Sequence, residues 1–124
     1  MRSRTLPWPD VVSFYCSLVH ERAWHIEPML ELVQFMAGSP YATALFPYTS
    51  HEKLCLGRTA DFTSGDGELQ IQFYPATQSF TFTYCQSPAD FSSWSRECSA
   101  DEWQPTLERI LQKRLRWFHG TIAA

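Results

Sequence analysis

Residues 69–84, which read LQIQFYPATQSFTFTY, decide the fold of this chain. Polar and apolar side chains alternate on both sides of the turn-forming segment Pro75-Ala76-Thr77-Gln78, and a period of two is typical of half-buried β-strands. The apolar set is Leu69, Ile71, Phe73, Phe80, Phe82 and Tyr84, and the polar set is Gln70, Gln72, Tyr74, Thr81 and Thr83. The pattern predicts an antiparallel hairpin that buries its apolar face and turns an amide, phenol and hydroxyl face outwards.

A third strand is predicted before this hairpin, where Leu54 and Leu56 alternate with Lys53 and Cys55. The segment Ser64-Gly65-Asp66-Gly67 supplies turn residues between this strand and the hairpin. Because both connections are short, the three strands are predicted to form an antiparallel meander.

Helical periodicity flanks the strands on both sides. Residues 11–24 carry apolar side chains on one face and polar ones opposite, and a second helix is signalled by Pro28 in its first turn and Gly38 at its stop. Ser99 and Glu102 have the spacing of a capping box that opens a last helix. The fold class is therefore predicted to be α+β, with two N-terminal helices, a three-stranded antiparallel meander and a C-terminal helix. The helices are expected to lie on one face of the sheet.

Size and composition limit the class of protein. The chain has 124 residues, 44% of them hydrophobic, which is enough for one core without a metal or a disulfide. One domain over residues 1–124 is predicted. No apolar run is long enough to span a bilayer, and the net charge of −3 disfavours nucleic acid and anionic membranes as partners.

The four cysteines, Cys16, Cys55, Cys85 and Cys98, are scattered, so no zinc-binding pair is predicted. The N-terminus has positive residues but no apolar run behind them, which does not fit a signal peptide. We therefore expect a soluble, cytoplasmic protein with reduced thiols and with neither a cofactor nor a metal.

Arg114 stands out in the last predicted helix. It falls in the centre of the apolar arc of that helix, within the mildly basic residues 106–119, and a guanidinium there must be paired, stacked on a ring or extended into solvent. The functional interpretation is an arginine that binds anions at the floor of a cleft. The structural alternative is a salt bridge to Asp61, Asp10 or another carboxylate, or a stem that covers Trp103.

Two further features indicate a binding surface. The outward face of the hairpin is polar but nearly uncharged, and such a face forms adaptable hydrogen bonds and is desolvated with a smaller penalty than a charged one. Residues 39–50 and 86–98 are predicted to be loops, and their Tyr48 and Trp94 are candidate interface anchors.

The sequence shows no evident catalytic constellation. Cys16 and His20 lie four residues apart on the first helix and could pair as thiol and base, although a boundary cysteine beside a surface histidine is the simpler interpretation.

The sequence therefore predicts a non-catalytic protein-binding module of the immunity-protein, chaperone or adaptor kind. Its partner is expected to be a protein or a second copy of the chain, bound at the polar sheet face and the aromatic loops. The alternative is a small ligand-binding domain or enzyme that takes anionic small molecules in a cleft with Arg114. The predicted binding residues are Gln70, Gln72, Tyr74, Thr81, Thr83, Trp94, Tyr48 and Arg114, and no catalytic or metal-binding residue is predicted.

Overall fold

The computed structural model describes residues 5–58, 67–85, 94–115 and 117. The helices are α1 (Trp8–His20), α2 (Glu27–Ala37) and α3 (Trp103–Arg109), which a π-helix (Ile110–Arg114) continues. The strands are β1 (Phe46–Ser50), β2 (Lys53–Gly57), β3 (Glu68–Tyr74), β4 (Ser79–Cys85) and β5 (Trp94–Ser99), and short 3₁₀ turns lie at Pro40–Thr43 and Ala100–Glu102. Within the described residues the strands form one antiparallel sheet in the order β1-β2-β3-β4-β5, and the helices cover one of its faces.

The hairpin predicted from residues 69–84 is confirmed as β3 and β4, which both lie inside the sheet. Ile71 pairs with Phe82 and Phe73 with Phe80 in the register. Phe80 and Phe82 are fully buried beneath the helices, and the rings of Phe73 and Phe80 lie 4.9 Å apart. The polar set occupies the opposite side of the sheet, which we call the outer face.

The sheet has five described strands where the sequence predicts three. Loops are predicted over residues 39–50 and 86–98, and this is wrong for β1 and β5, which lie in those ranges; residues 86–93 lie outside the described residues. Both additional strands are sheet edges, where a strand has one partner and needs less apolar surface. β1 also contains Pro47, which edge strands accept and interior strands exclude. The α+β class and the antiparallel meander are confirmed.

The first helix attaches to the β1–β2 end of the sheet through side-chain hydrogen bonds as well as apolar packing. The indole N–H of Trp8 donates to the backbone carbonyl oxygen of Leu45 at 3.3 Å, and the hydroxyl of Tyr15 donates to the backbone carbonyl oxygen of Glu52 at 3.0 Å.

α2 ends just before Gly38, as predicted. None of the helices in the described residues is long and apolar enough to cross a membrane.

The last predicted helix is broken into segments of different geometry. The hydroxyl of Ser99 donates to the carboxylates of Asp101 at 2.7 Å and Glu102 at 3.3 Å, so the predicted capping box is not formed and a 3₁₀ turn precedes α3. After α3 the helix widens, because the N–H of Leu115 bonds to the carbonyl of Ile110, five residues back, at 2.8 Å. This π geometry moves the following side chains away from the positions that an α-helical wheel assigns to them.

Truncating the apolar side of β4 should cost far more stability than truncating the outer side of β3. We expect Phe82→Ala to lower the free energy of unfolding by about 3–5 kcal/mol, because a fully buried ring leaves a cavity. Tyr74→Ala, at a position with 42% exposure, should cost less than about 1 kcal/mol. Urea unfolding followed by circular dichroism measures both, and equal losses would contradict the assignment of the two faces.

Candidate functional site

The eight predicted binding residues fall on two sides of the sheet. The outer face holds Tyr48, Gln70, Gln72, Tyr74, Thr81 and Thr83, and the helix-covered side holds Trp94 and Arg114. The structure therefore brings together six of the predicted residues as one surface and the remaining two as part of another.

A chain of hydrogen-bonded side chains crosses the outer face over β1, β2 and β3. The hydroxyl of Tyr48 donates to the carboxylate of Glu68, whose two oxygens lie 2.9 and 3.0 Å away. The amide nitrogen of Gln70 donates to the same carboxylate at 2.7 Å, and its amide oxygen accepts from Lys53 Nζ at 3.2 Å. Because these groups satisfy one another, this part of the outer face presents polar groups in fixed positions.

The outer face continues towards the β3–β4 turn with more exposed groups. The hydroxyl of Tyr74 donates to the side-chain oxygen of Gln72 at 3.3 Å, and the amide nitrogen of Gln72 donates to the carboxylate of Glu52 at 3.3 Å. Thr81 and Thr83 lie half-buried beside them on β4. The predicted hairpin residues thus form one continuous polar surface.

Cys55 lies inside the outer face, in register with Tyr48 on one side and Gln70 on the other, and it is fully buried. Burial, followed by the negative charge of Glu68, raises the pKa of its thiol to about 12. Burial also raises the pKa of the Tyr48 hydroxyl. Both groups stay protonated at neutral pH, so they supply no anionic nucleophile here.

A second candidate site lies between β5 and the last helical segments. It is an open groove of about 510 Å³, which we call the basic groove. Its lining is Trp94, Ser95, Arg96, Thr106, Arg109, Ile110, Lys113 and Arg114. One wall is an edge strand and the other is a helix, so the groove joins segments that are distant in sequence from each other.

The basic groove runs along the edge of β5. Trp94 and Arg96 stand opposite Tyr84 and Phe82 on the helix-covered side, whereas Ser95 stands opposite Thr83 on the outer side. Consecutive residues of a strand point to opposite faces. Three successive residues line the same groove only if the strand's backbone forms part of its wall, and so the groove reaches the sheet edge.

Arg114 stacks on Trp94 at one end of the basic groove. Its guanidinium carbon lies 5.1 Å from the centre of the indole ring, within the range of a cation–π contact. The Trp94 ring is also stacked on Tyr84, with centroids 6.4 Å apart. Arg114 is exposed and is not in the apolar arc where the sequence places it, because the π-helix rotates it towards β5. The ring that Arg114 contacts is Trp94, whereas one structural alternative from the sequence has the stem of Arg114 covering Trp103.

The charges that the described residues bring to the basic groove are all of one sign. Arg96, Arg109, Lys113 and Arg114 contribute four cations, and no carboxylate or imidazole belongs to the described lining. Among the residues that the structure describes, none of these four side chains takes part in an ion pair. Asp61, one predicted partner of Arg114, lies outside the described residues. The groove therefore offers N–H donors and positive charge to an anion.

Sequence reasoning missed three of the four cations as site residues. Arg109 and Lys113 belong to the basic segment of the last helix, and that excess of charge was their signal. Arg96 lies between Trp94 and Cys98 in a short alternating stretch that the sequence assigns to a loop. Recognising that alternation as a strand would have placed Arg96 beside Trp94.

The thiol–imidazole pair considered on the first helix gains no further metal ligand within the described residues. Cys16 is half-buried and His20 is exposed on α1. No group of three or more histidine, cysteine or acidic side chains with metal-binding geometry occurs in the part of the chain that the structure describes.

Comparison with protein-family models, with curated protein sequences and with solved structures finds no significant match to this chain. The outer face and the basic groove are therefore the basis for inferring what the protein does.

Alkaline pH should destabilise the folded protein, and Cys55 should account for part of the loss. The thiol ionises near pH 9 at its ordinary value, whereas the folded protein holds the proton up to about pH 12. Below pH 9 this contribution to stability is fully present. Between the two values the unfolded chain binds fewer protons, so the free energy of unfolding falls by up to about 1.4 kcal/mol per pH unit.

Urea unfolding at about pH 8 and about pH 10, on the natural chain and on Cys55→Ala, measures this effect. We expect the free energy of unfolding to fall less steeply with pH in the variant, because its thiol is gone. Some fall should remain, since the pKa values of Tyr15 and Tyr48 are also raised in the folded protein. The same pH dependence in both proteins would show that Cys55 ionises normally in the folded state.

Proposed function

We propose that this chain is a non-catalytic protein-binding module that recognises an acidic segment of a partner protein, with the basic groove as its principal binding site. The observation that carries the proposal is the collection of four cations around one open groove whose described lining contains no carboxylate. Like charges held close together repel one another, and an anionic partner removes that repulsion.

The lining of the groove fits binding better than catalysis. Among the described lining residues, the hydroxyls of Ser95 and Thr106 are the nucleophile types present, and these residues include no imidazole or carboxylate that could take a proton from them. Trp94 and Arg114 instead supply a flat ring and a planar cation, which are the residue types that most often anchor protein interfaces.

The charges elsewhere on α3 support a defined position for an acidic partner. A second cleft of about 500 Å³ lies along another flank of this helix, and Glu31, Asp101 and Glu108 are in its lining. This cleft repels an acidic segment while the basic groove attracts it. Opposed potentials on one helix direct the partner to the β5 side.

The outer face stays a candidate for a second contact with the partner. Its supporting features are the hydrogen-bonded polar groups, to which Glu52, Lys53 and Glu68 add charges, and the aromatic residues at its margins. Phe46 is 36% exposed and Tyr74 is 42% exposed, and both lie on this face. Exposed rings beside preorganised hydrogen-bonding groups are common in protein interfaces.

One observation favours the alternative of a small anionic ligand held by Arg114. The basic groove, at about 510 Å³, has the volume of many small-molecule sites. A polymeric and a small anion should therefore both be tested.

Poly-L-glutamate should bind the natural chain at low ionic strength, with an affinity that falls as salt is added. Arg96→Glu and Lys113→Glu should each weaken binding about tenfold, because each replaces an attractive charge by a repulsive one. Isothermal titration calorimetry measures the affinities. Both positions are exposed, so the thermal midpoint of unfolding should change little.

The matched control is Arg22→Glu, which makes the same charge change at an exposed position after α1. It should leave the affinity within about twofold of the natural chain, since only long-range charge is altered. Equal weakening by all three variants would refute a localised site. Inorganic pyrophosphate that binds more tightly than poly-L-glutamate would favour the small-ligand alternative.

A further inference from the structure

The two edge strands of the sheet, β1 and β5, differ in how their outward backbone N–H and C=O groups are used. At the β1 edge, the carbonyl of Pro47 accepts a hydrogen bond from the N–H of Leu6 at 2.8 Å. Proline has no N–H of its own to offer, so this edge combines a missing donor with an occupied acceptor. The chain itself closes β1 against a further strand at that point.

No strand of the described residues pairs with β5 on the side away from β4, and we call this side the open edge. In an antiparallel strand, alternate residues direct their N–H and C=O groups away from the paired neighbour, so half of those groups on β5 point away from β4. Within the described residues, no backbone hydrogen bond uses that side of β5. The bond from the N–H of Ala100 to the carbonyl oxygen of Gln78, at 2.9 Å, continues the ladder with β4. Ser95, Arg96 and Glu97 are exposed.

The open edge and the basic groove coincide, since the β5 backbone is a wall of the groove. We infer that the acidic segment recognised by this protein is an extended peptide that adds to β5 as a further strand of the sheet. This inference rests on the proposed function and specifies the conformation and the pattern of the bound segment. Strand addition supplies affinity through the main chain and selectivity through the side chains.

The geometry of a strand predicts a sequence pattern for the bound segment. Side chains on one face of a strand recur at every second residue, about 6.6 Å apart. Those facing the helix-covered side meet Arg96, Arg109 and Lys113, so acidic residues are favoured there. Those facing the outer side lie beside Ser95 and Glu97, where an acid is repelled and a hydroxyl is accepted. The preferred peptide therefore alternates acidic residues with threonine or serine.

A nucleic acid fits the same charges less well. Single-stranded nucleic acid binds largely by stacking its bases on free aromatic rings. The ring of Trp94 already contacts both Arg114 and Tyr84. The whole chain also carries a net charge of −3, which opposes a long polyanion beyond the groove.

The test uses a short capped peptide in which threonine and glutamate alternate, with binding followed by fluorescence anisotropy. In a strand, alternate amides point to opposite neighbours, so N-methylating one alternate set should block pairing with β5 and methylating the other set should not. We expect one set to weaken binding at least about tenfold and the other to change it less than about threefold. Glutamine in place of glutamate should also weaken binding at least tenfold.

The outcomes separate this inference from the function on which it rests. If both N-methylated peptides bind as well as the parent, strand addition is wrong although anion recognition stands. If neither the parent peptide nor poly-L-glutamate binds, the proposed function fails as well. A single-stranded oligonucleotide of equal charge that binds more tightly than the peptide would overturn the peptide as occupant. Slower hydrogen exchange of the Ser95 and Glu97 amides, which point away from β4, on peptide binding would support the inference directly.

Discussion

The architecture depends on one constraint, which is that the side chains of β4 alternate between the buried, helix-covered side of the sheet and its outer face. Phe80 and Phe82 must be covered, and the cover on their side is helical. Trp103 packs on Phe80 with ring centroids 6.5 Å apart, and on Phe35 of α2 with centroids 5.6 Å apart. These contacts bring α3 over the β4–β5 side of the sheet. The position of the basic groove follows from the burial of two phenylalanines.

The π-helix determines what the last helical segment presents to β5. A continuous α-helix would direct Arg114 to the core, where a guanidinium needs a buried partner. The wider turn after Ile110 lets Leu111 stay in the core and turns Arg114 outwards onto Trp94. A cation–π contact at an exposed site contributes about 0.5–1 kcal/mol, so its larger effect is to fix where a charge sits. Single π-turns in helices are often found at functional sites.

The parts of this fold that the sequence predicts are those in which a local pattern is also the structural cause. Gln70, Gln72, Thr81 and Thr83 were predicted on one surface because strand parity alone assigns their face. β5 was not predicted, because its helix-covered side mixes Trp94 and Arg96, and an edge strand tolerates such a mixture.

Arg114 was misplaced for a related reason, since a helical wheel assumes a single helical geometry. The groove itself arises where α3 and its π-helix meet an edge strand. Arg96 and Arg109 both line the basic groove because tertiary packing brings β5 and α3 together. No sequence pattern within either segment predicts that contact.

The unequal edges of the sheet also govern how copies of this protein behave towards one another. Strand edges left free in a folded protein can template open-ended growth into fibres. Here one edge is capped by Pro47 and Leu6, so two molecules joined through β5 would expose only capped edges and propagation would stop at a pair. Even that pair would bring Arg96 of each molecule to a shared seam and oppose its own formation. The positive charge that attracts an acidic strand to β5 therefore also disfavours self-association of the protein through β5.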